Sequence, residues 1–426
     1  MKILIISTSY PPRATVGGLR PAMMANYLVK AGHECAVLTV SLDAILQRDP
    51  EFLKVDERIT EMRVSPILIN PYESYLPAGV SPGFLHKVIR RMMTYWAPDV
   101  YYFWAIRAAR AYVRHPPLKP EVVISSALPF SVHHAGRIIA KKFKAIWVAD
   151  CRDLWAGNPH LGMSLKRQEW AFVHQSKLLS MASYVLGVSD EMVDILRESL
   201  PNHVPSATLM NAFNEEEISP IAEKMQDNST GFSFVYTGSL YNGQRDLGPF
   251  FEALSRVLTN ASRTCIPVRI IYAGHDGRAL IEQASKYNLQ GIIRNRGWVS
   301  RQESLHLQRK ADALLLSIGD GSEKGAIIVT GKVFEYLSSR RPILGLGYPK
   351  GALGRLLRDT NAGYIFSPDN LRDICSVVSR WLAEFEKSGS ISWNGVEEQI
   401  MKHSWKYRIK ELLTMIERLH GRRISK

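Results

Sequence analysis

The chain has 426 residues, of which 46% are hydrophobic, and its formal net charge is +14. This length and apolar content suffice for two domains of ordinary size, each with a buried core. No apolar run approaches the roughly 18 residues that a bilayer-spanning helix needs, which excludes a predicted transmembrane segment. The four cysteines form no CxxC pair or zinc spacing, and they predict reduced thiols in a cytoplasmic protein.

Short apolar segments alternate with helical periodicity in the first half of the chain. The opening segment MKILIISTSYPP predicts one strand and a turn, and it is too short for a signal-peptide core. The pattern predicts strands at 3–7, 35–40, 122–126, 146–150 and 184–189, and helices at 19–31, near 130–142, about 165–181 and from residue 190.

A polar stretch interrupts this alternation, which then starts again. The second series of alternating segments predicts strands at 232–238, 268–274, 311–318 and 341–347, a helix at 248–258, and a final helix without a following strand. We therefore expect an α/β fold of two doubly wound, Rossmann-like parallel sheets that face a cleft. The predicted parts are a first domain (1–210), a linker (211–230), a second domain (231–400) and a basic helix packing back toward the first domain (401–426).

The segment GAIIVTGKVFEY, beginning at Gly325, superficially resembles an ATP-binding P-loop. A P-loop has four residues between its glycines and Ser or Thr after its Lys, whereas here five residues precede Gly331 and Val333 follows Lys332. What remains is a helix start with Lys332 in its first turn, which suits a diphosphate. Glu335 then lies beside that site and can accept hydrogen bonds from ribose hydroxyls. The alternative is a solvated helix start in which Lys332 pairs with Glu335.

Two segments concentrate positive charge. Residues 82–120 hold seven Lys or Arg and one acidic residue among large apolar side chains, and residues 402–426 hold eight basic and two acidic residues. This combination suits the surface of an anionic membrane. The alternatives are a helix pair with a solvated basic rim and, more remotely, an RNA-binding surface, although no nucleic-acid motif accompanies the charge.

Six segments in order resemble the retaining glycosyltransferases of family 4, which have the GT-B fold. They are ILIISTSYPPRATVGGLRPAMMANYLVKAGHECAVLT, IWVADCRDLW, FVYTGSLYNGQRD, RGWVSRQES, ADALLLSI and TGKVFEYLSSRRPILGLG. The second is similar to a "WVADFRDLW" segment of a subgroup that builds bacterial surface polysaccharides. The resemblance covers nearly all of the chain except residues 45–120.

The resemblance implies which residues bind the donor phosphates. Sugar transfer breaks the bond between the anomeric carbon and the β-phosphate, so the enzyme must stabilise a departing diphosphate. Arg245 and Lys332 are expected to supply positive charge, and N–H groups at Gly17, Gly18 and Gly331 are expected to assist. Backbone approaches a phosphate closely where a side chain is absent.

Further donor contacts follow from the same resemblance. Gly238 and Ser239 lie in the loop expected near the phosphates, and Thr330 precedes the Lys332 helix. Val299 is expected to offer its backbone to the nucleobase, and Glu335 is expected to hold the ribose.

Simpler interpretations exist for several of these residues. Gly17 and Gly18 suit a plain turn, Arg245 suits a neighbour of Asp246, and Trp298, beside Val299, suits a core position. Many family members also carry a sugar-contacting Glu eight residues before the ribose Glu, where this chain has Ile327. Recognition of the donor sugar must therefore use other groups.

The acceptor side is expected at the end of the strand that contains Asp150. Asp150 and Arg152, with Asp153, form a charged cluster that can position and activate an acceptor hydroxyl or phosphate. The alternative is an Arg152–carboxylate pair that staples the loop. His133 and His134 lack the further partners of a metal site, and neither a metal nor a cofactor is expected.

These inferences predict a cytoplasmic, peripherally membrane-bound hexosyltransferase that acts with retention. The expected donor is a nucleotide-diphosphate sugar, with a UDP-N-acetylhexosamine preferred, and the expected acceptor is a lipid-linked glycan or polysaccharide; no nucleic-acid partner is expected. Two alternatives are an epimerase on the same fold and a non-catalytic nucleotide-sugar-binding subunit.

Overall fold

The computed structural model describes residues 1–45, 49, 52–66, 96–158, 162–218, 231–241, 245–260, 266–319 and 321–424. Contacts divide the chain into two compact units. Unit 1 comprises Met1–Asn211 and Trp405–Lys426, and unit 2 comprises Ala212–Ser404. Residues 212–218, which the sequence placed in a linker, therefore belong to unit 2, and the rest of the predicted linker up to residue 230 lies outside the described residues.

Unit 1 contains a seven-stranded sheet in the order β3-β2-β1-β4-β5-β6-β7, and every pairing is parallel. Strands with both faces covered by helices are mostly apolar, and β4 and β5 are buried along their whole length here, including Ser125, Ser126 and Asp150. The strands are β1 (Lys2–Ile6), β2 (Glu34–Val40), β3 (Thr60–Val64), β4 (Val122–Ala127), β5 (Ile146–Cys151), β6 (Tyr184–Gly187) and β7 (Ser206–Thr208).

Five helices connect these strands among the described residues. They are α1 (Val16–Lys30), α2 (Tyr102–Arg114), α3 (Val132–Phe143), α4 (Leu165–Leu179) and α5 (Asp190–Ser199). α1 begins three residues before the predicted position, so Gly17 and Gly18 lie in its first turn and not in a loop. Thr15 is the capping residue of this helix, and its side chain makes no capping bond.

Unit 2 contains a six-stranded sheet in the order β10-β9-β8-β11-β12-β13, again all parallel. Its strands are β8 (Phe232–Thr237), β9 (Val268–Ala273), β10 (Ile293–Asn295), β11 (Ala313–Ser317), β12 (Ile343–Leu346) and β13 (Gly363–Phe366). Its helices are α6 (Gly248–Asn260), α7 (Gly277–Ser285), α8 (Arg301–Lys310), α9 (Gly331–Ser339), α10 (Ala352–Thr360), α11 (Leu371–Ser388) and α12 (Glu397–Met401).

The last helix, α13 (Trp405–Ile424), belongs to unit 1 and packs against α1. It buries Ile409, Leu412 and Ile416, which recur at helical spacing on one face. No helix in the described part of the chain combines the length and the apolar character that crossing a bilayer requires.

Each sheet reverses its strand order beside its first strand, between β1 and β4 in unit 1 and between β8 and β11 in unit 2. Ligands of doubly wound sheets bind beyond the carboxyl ends of the strands at such a switch point. Functional side chains are therefore expected at the carboxyl ends of β8, β4 and β5.

Candidate functional site

The carboxyl end of β8 is built around Gly238. This residue has a φ of 93°, which a side chain disfavours, and a Cβ atom there would lie 2.6 Å from Cε of Lys332. Glycine is therefore needed both for the turn and for the close approach of the lysine. Its predicted contact with a phosphate stays a prediction.

Lys332, the second residue of α9, reaches back over the end of β8. Its Nζ donates hydrogen bonds to Tyr236 Oη at 3.0 Å and to the Ser239 carbonyl oxygen at 3.2 Å. The ammonium also lies 4.2 Å from the centre of the Tyr236 ring, a cation–π contact. The structure thus does not show the alternative pairing of Lys332 with Glu335. Burial and then the charge of Arg245 hold the pKa of Lys332 well below its ordinary value.

Arg245 brings a second positive charge to the same strand end. Its guanidinium lies 4.4 Å from the Tyr241 ring centre, and its buried Nη1 has no hydrogen-bond partner among the residues described. The carboxylate of Asp246 instead accepts a bond from the Gly248 N–H at 2.8 Å. The simpler interpretation of Arg245 as a neighbour of Asp246 therefore does not account for the position of its guanidinium.

The start of α9 completes this cationic group. Thr330 has the extended backbone of a capping residue, but its side chain makes no capping bond. The N–H groups of Gly331 and Lys332, in the first turn, have no intrahelical acceptor. A helix start of this kind, together with Lys332 and Arg245, favours an anionic ligand.

Glu335 lies one turn further along α9 and contacts Arg301. Its Oε1 is 3.5 Å from Arg301 Nη2, and its Oε2 accepts a long bond of 3.4 Å from Gln308 Nε2. Arg301 is also held by Glu217 through two bonds of 2.6 and 2.8 Å. Because Glu217 takes the two shorter bonds, Glu335 keeps acceptor capacity for another ligand.

The loop after β10 carries the residues expected near a nucleobase. Trp298 is 61% exposed, so its interpretation as a core residue is wrong. It follows Gly297, whose φ of 67° requires glycine-like freedom, and precedes the half-buried Val299. Ile327 is also half-buried. The structure leaves the nucleobase role of Val299 as a prediction.

In unit 1, Asp150 lies near the end of β5 and forms a fully buried ion pair with Arg20. Arg20 Nη2 donates to Oδ1 at 2.7 Å and Arg20 Nε donates to Oδ2 at 3.0 Å. Ser126 Oγ adds a bond to Oδ2 at 2.6 Å. Burial raises the pKa of Asp150, but Arg20 and these hydrogen bonds outweigh it and lower the pKa overall. The carboxylate is therefore ionised and already well supplied with donors.

Arg152 binds backbone carbonyls. It donates to the carbonyl oxygens of Ala127 at 2.6 Å, of Leu128 at 2.8 Å and of Gly17. In these contacts Arg152 holds the loop through carbonyl groups, and not through the carboxylate pair that the alternative predicts. At Gly17 and Gly18 an added Cβ would meet neighbours at 3.5 Å or more, an ordinary contact distance. Neither position needs glycine in this geometry.

The two adjacent histidines have different partners. His133 Nδ1 lies 2.8 Å from Ser125 Oγ, and burial lowers its pKa to about 3. His134 Nε2 lies 3.0 Å from Nε2 of His174, and burial followed by the charge of His174 lowers its pKa to about 4. Both are neutral near pH 7. Nowhere in the described ranges do three or more His, Cys, Asp or Glu side chains form a group suited to a metal ion. The absence of a metal requirement stays a prediction.

Four contacting residues were missed by sequence reasoning: Tyr236, Arg301, Gln308 and Arg20. Tyr236 is part of an apolar strand pattern, and Arg20 is a charged residue within a helical pattern, so neither has a local signal for its contact. Their partners lie 96 and 130 residues away along the chain. No local pattern indicates such pairs.

Comparison with known proteins identifies solved structures of the same fold. No family model matches the chain, and no curated protein matches it. The structure is similar to sucrose-phosphate synthase from Thermosynechococcus elongatus, with a TM-score of 0.67, 14% identity and 99% of each chain covered.

Two further solved structures are also similar. Anabaena HepE in complex with UDP-glucose has a TM-score of 0.63 and 13% identity, over 97% of this chain and 100% of that one. The lipopolysaccharide outer core galactosyltransferase WaaB has a TM-score of 0.57 and 12% identity, over 98% of this chain and 99% of that one. At these identities the likeness establishes the fold, and it confirms the predicted GT-B class with its two Rossmann-like parallel sheets.

Proposed function

We propose that the protein is a retaining family 4 glycosyltransferase that transfers a sugar from a UDP-sugar, with UDP-N-acetylhexosamine preferred, to a lipid-linked or polysaccharide acceptor in cell-surface polysaccharide synthesis. The observation that carries this proposal is the pair of cations, Lys332 and Arg245, at the switch-point strand β8. HepE, solved with UDP-glucose, and the lipopolysaccharide enzyme WaaB support it by their fold.

The arrangement suits the departure of a diphosphate. As the bond from the anomeric carbon to the β-phosphate oxygen breaks, the sugar gains oxocarbenium character and the diphosphate gains negative charge. Lys332, Arg245 and the N–H groups at Gly331 and Lys332 would stabilise that charge in a largely buried setting, where preorganised donors are most effective.

Asp150 is the acceptor-side candidate for the proposed reaction. A general base must be ionised at the working pH, and Arg20 with Ser126 keeps this carboxylate so, while the same contacts lower its pKa and make it a weaker base. Arg152, two residues further along, orders the same loop through its three carbonyl bonds.

Glu335 would hold the ribose hydroxyls of the donor, and its replacement tests this role. Glu335→Ala is expected to weaken UDP binding about 10- to 100-fold, because a hydrogen bond to a charged group contributes about 1.5–3 kcal/mol. Isothermal titration with UDP and with 2′-deoxy-UDP checks the mechanism. The wild-type protein should discriminate against the deoxy ligand, and the variant should not. Glu386→Ala, at an exposed glutamate of α11, is the control.

Equal affinity of the wild-type protein for UDP and 2′-deoxy-UDP would contradict the ribose assignment. Loss of folding in Glu335→Ala would appear as a lowered thermal midpoint without ligand. Glu335→Gln, which keeps the shape of the side chain and removes its charge, then gives the same comparison.

Peripheral binding to an anionic membrane is the second part of the proposal. Arg107, Arg110 and Arg114 are exposed along one face of α2, and Lys141 and Lys142 are exposed near the end of α3, which packs against α2. These residues continue the basic, aromatic segment predicted from the sequence, whose residues 82–95 lie outside the described part of the chain. Cationic side chains beside large apolar ones suit an anionic lipid surface.

Sedimentation with vesicles tests this surface. Each basic residue near an anionic surface contributes about 1 kcal/mol of binding free energy. Simultaneous replacement of Arg107, Arg110 and Arg114 by Gln should therefore weaken partitioning of the protein onto the vesicles about 100-fold. The control replaces three exposed basic residues of unit 2, Lys286, Arg372 and Lys387.

Point substitution is preferable to truncating the basic C-terminal helix, because α13 buries Ile409, Leu412 and Ile416 and its removal would uncover the core of unit 1. Equal sedimentation of both triple variants with phosphatidylglycerol vesicles would place the membrane contact elsewhere. Binding that persists on neutral phosphatidylcholine vesicles would exclude an electrostatic origin.

A further inference from the structure

We propose that Tyr236 is a positioning residue that sets the location of Lys332, one of the two cations assigned to phosphate binding in the proposed function. The inference rests on the proposed function and adds a residue that the motif resemblance does not assign. Tyr236 is the fifth residue of β8, and its side chain is fully buried. It is a neutral side chain among charged ones.

Tyr236 and the backbone of Ser239 together fix the ammonium of Lys332. Tyr236 Oη accepts from Lys332 Nζ at 3.0 Å and donates to the Ser239 carbonyl oxygen at 3.1 Å. That carbonyl also accepts from Lys332 Nζ at 3.2 Å, and the Tyr236 ring centre lies 4.2 Å from the ammonium. Three contacts therefore locate one nitrogen atom.

All three of these partners are uncharged. The buried guanidinium of Arg20, by comparison, is neutralised by Asp150 at 2.7 Å. Lys332 is held in place without a carboxylate in contact, so its charge stays available to an anionic ligand. An acidic partner would hold the lysine equally well but would compete with the phosphate.

The hydroxyl of Tyr236 also lies within the influence of Arg245. Burial raises the pKa of Tyr236 to about 12, and Arg245 opposes this rise through its charge and a side-chain hydrogen bond. The phenol is thus protonated at neutral pH, and it can donate to Ser239 while it accepts from a cation. Arg245 retains a buried Nη1 without a partner in the described structure, which is the donor expected for a ligand oxygen.

Neighbouring side chains keep Tyr236 and the Ser239 loop in place. The Tyr272 ring stacks on Tyr236 at 6.0 Å between centroids, with 23° between the planes. The carboxylate of Asp276 accepts from Ser239 Oγ at 2.7 Å and from the Leu240 N–H at 2.6 Å. Such a supporting layer preorganises donors for a ligand that is not yet bound.

The test compares UDP with UMP, because the two ligands differ by one phosphate. In Tyr236→Phe, which removes a single oxygen, UDP affinity is expected to fall about tenfold while UMP affinity changes less than about threefold. The kcat/KM for transfer should fall with UDP affinity. The matched control is Tyr112→Phe in unit 1, where the lost hydroxyl donates only to the Leu118 carbonyl oxygen.

The outcomes separate this inference from the proposed function. If Tyr236→Phe keeps the wild-type ratio of UDP to UMP affinity while Lys332→Ala loses it, the positioning role is wrong and the proposed function stands. If UDP and UMP affinities fall alike in Tyr236→Phe, the effect is general damage and the positioning role is again wrong. If Lys332→Ala binds UDP as tightly as the wild-type protein, the proposed function itself fails.

Discussion

Lys332→Ala is expected to lower kcat/KM for sugar transfer about 10²- to 10³-fold, the usual effect of removing one preorganised donor from a developing anion. Arg245→Ala should have a loss of the same order. Both cations lie at the end of β8, where Tyr236 and Ser239 hold Lys332, and both are proposed to face the departing diphosphate. Steady-state transfer assays with a UDP-sugar give the measurement. Lys387→Ala, an exposed lysine of α11, should retain full activity.

The two substitutions should not add independently. The charge of Arg245 contributes to lowering the pKa of Lys332, so the two cations interact before any ligand binds. In Arg245→Ala the Lys332 amine would be easier to protonate, which offsets part of the loss in that single variant. The double variant lacks this compensation and should lose more than the sum of the single losses. Full activity in either single variant would contradict the donor-site assignment.

The affinity for UDP is expected to depend on pH. The pKa of Lys332 in the free protein is lowered by burial and by Arg245, and a diphosphate would raise it again. Binding should therefore take up a proton between the two pKa values, and affinity for UDP should fall as pH rises through that window. Titration calorimetry in two buffers of different ionisation enthalpy measures the uptake, and Lys332→Ala should abolish it.

Breaking the Arg20–Asp150 pair is expected to destabilise unit 1 by about 3–5 kcal/mol, because either single truncation leaves a buried charge without its partner. Arg20 also donates to the carbonyl oxygens of Leu209 and Met210, so its loss would release the segment that follows β7. Urea denaturation followed by circular dichroism gives the measurement for Arg20→Ala and Asp150→Ala. Arg197→Ala, which breaks the exposed pair with Asp194, should change stability by less than about 1 kcal/mol.

The pair also makes stability depend on pH. Asp150 has a lowered pKa in the folded protein, so its contribution is present above the ordinary carboxyl pKa of about 3.9 and is lost as pH falls through the lowered value. A double variant, Arg20→Met with Asp150→Leu, removes both charges and should be more stable than either single truncation. If it is not, the pair is not the source of the effect.

The variant Asp150→Asn distinguishes a structural role of Asp150 from a role as a base. The amide keeps the shape of the carboxylate but cannot act as a base. If Asp150 serves the acceptor, this variant should bind UDP normally and lose transfer by more than its loss of stability explains. Transfer that falls only in proportion to the folded fraction would assign Asp150 a structural role alone.

The long apolar strands were predictable from the sequence, whereas the edge strands were not. β1, β4, β5 and β8 are buried over nearly their whole length and consist mostly of apolar residues, and their predicted bounds agree within one residue. β3, β10 and β13 are short or partly exposed, so no buried run marks them. An edge strand pairs through its backbone, which the side-chain pattern does not report.

The candidate site was predictable only in part. The turn at Gly238 and the helix start at Lys332 carry local signals, and the structure brings the two together. Tyr236, Arg20 and Arg301 are ordinary members of a strand or a helix in sequence, and each acquires its partner through tertiary contacts. Glu335 contacts Arg301, whereas the sequence suggested Lys332 as its partner, and this contact also has no local sequence signal.

Thermal unfolding in the presence of UDP, GDP, ADP, CMP and dTDP, without added metal, tests the central claim most directly. A ligand at about 100 times its dissociation constant adds about 2.7 kcal/mol of stability. In a domain of this size that raises the midpoint by about 2–4 °C. We predict this shift with UDP, its absence with CMP, and its loss in Lys332→Ala. No shift with any of the five nucleotides would contradict the claim that Lys332 and Arg245 form a nucleoside-diphosphate site.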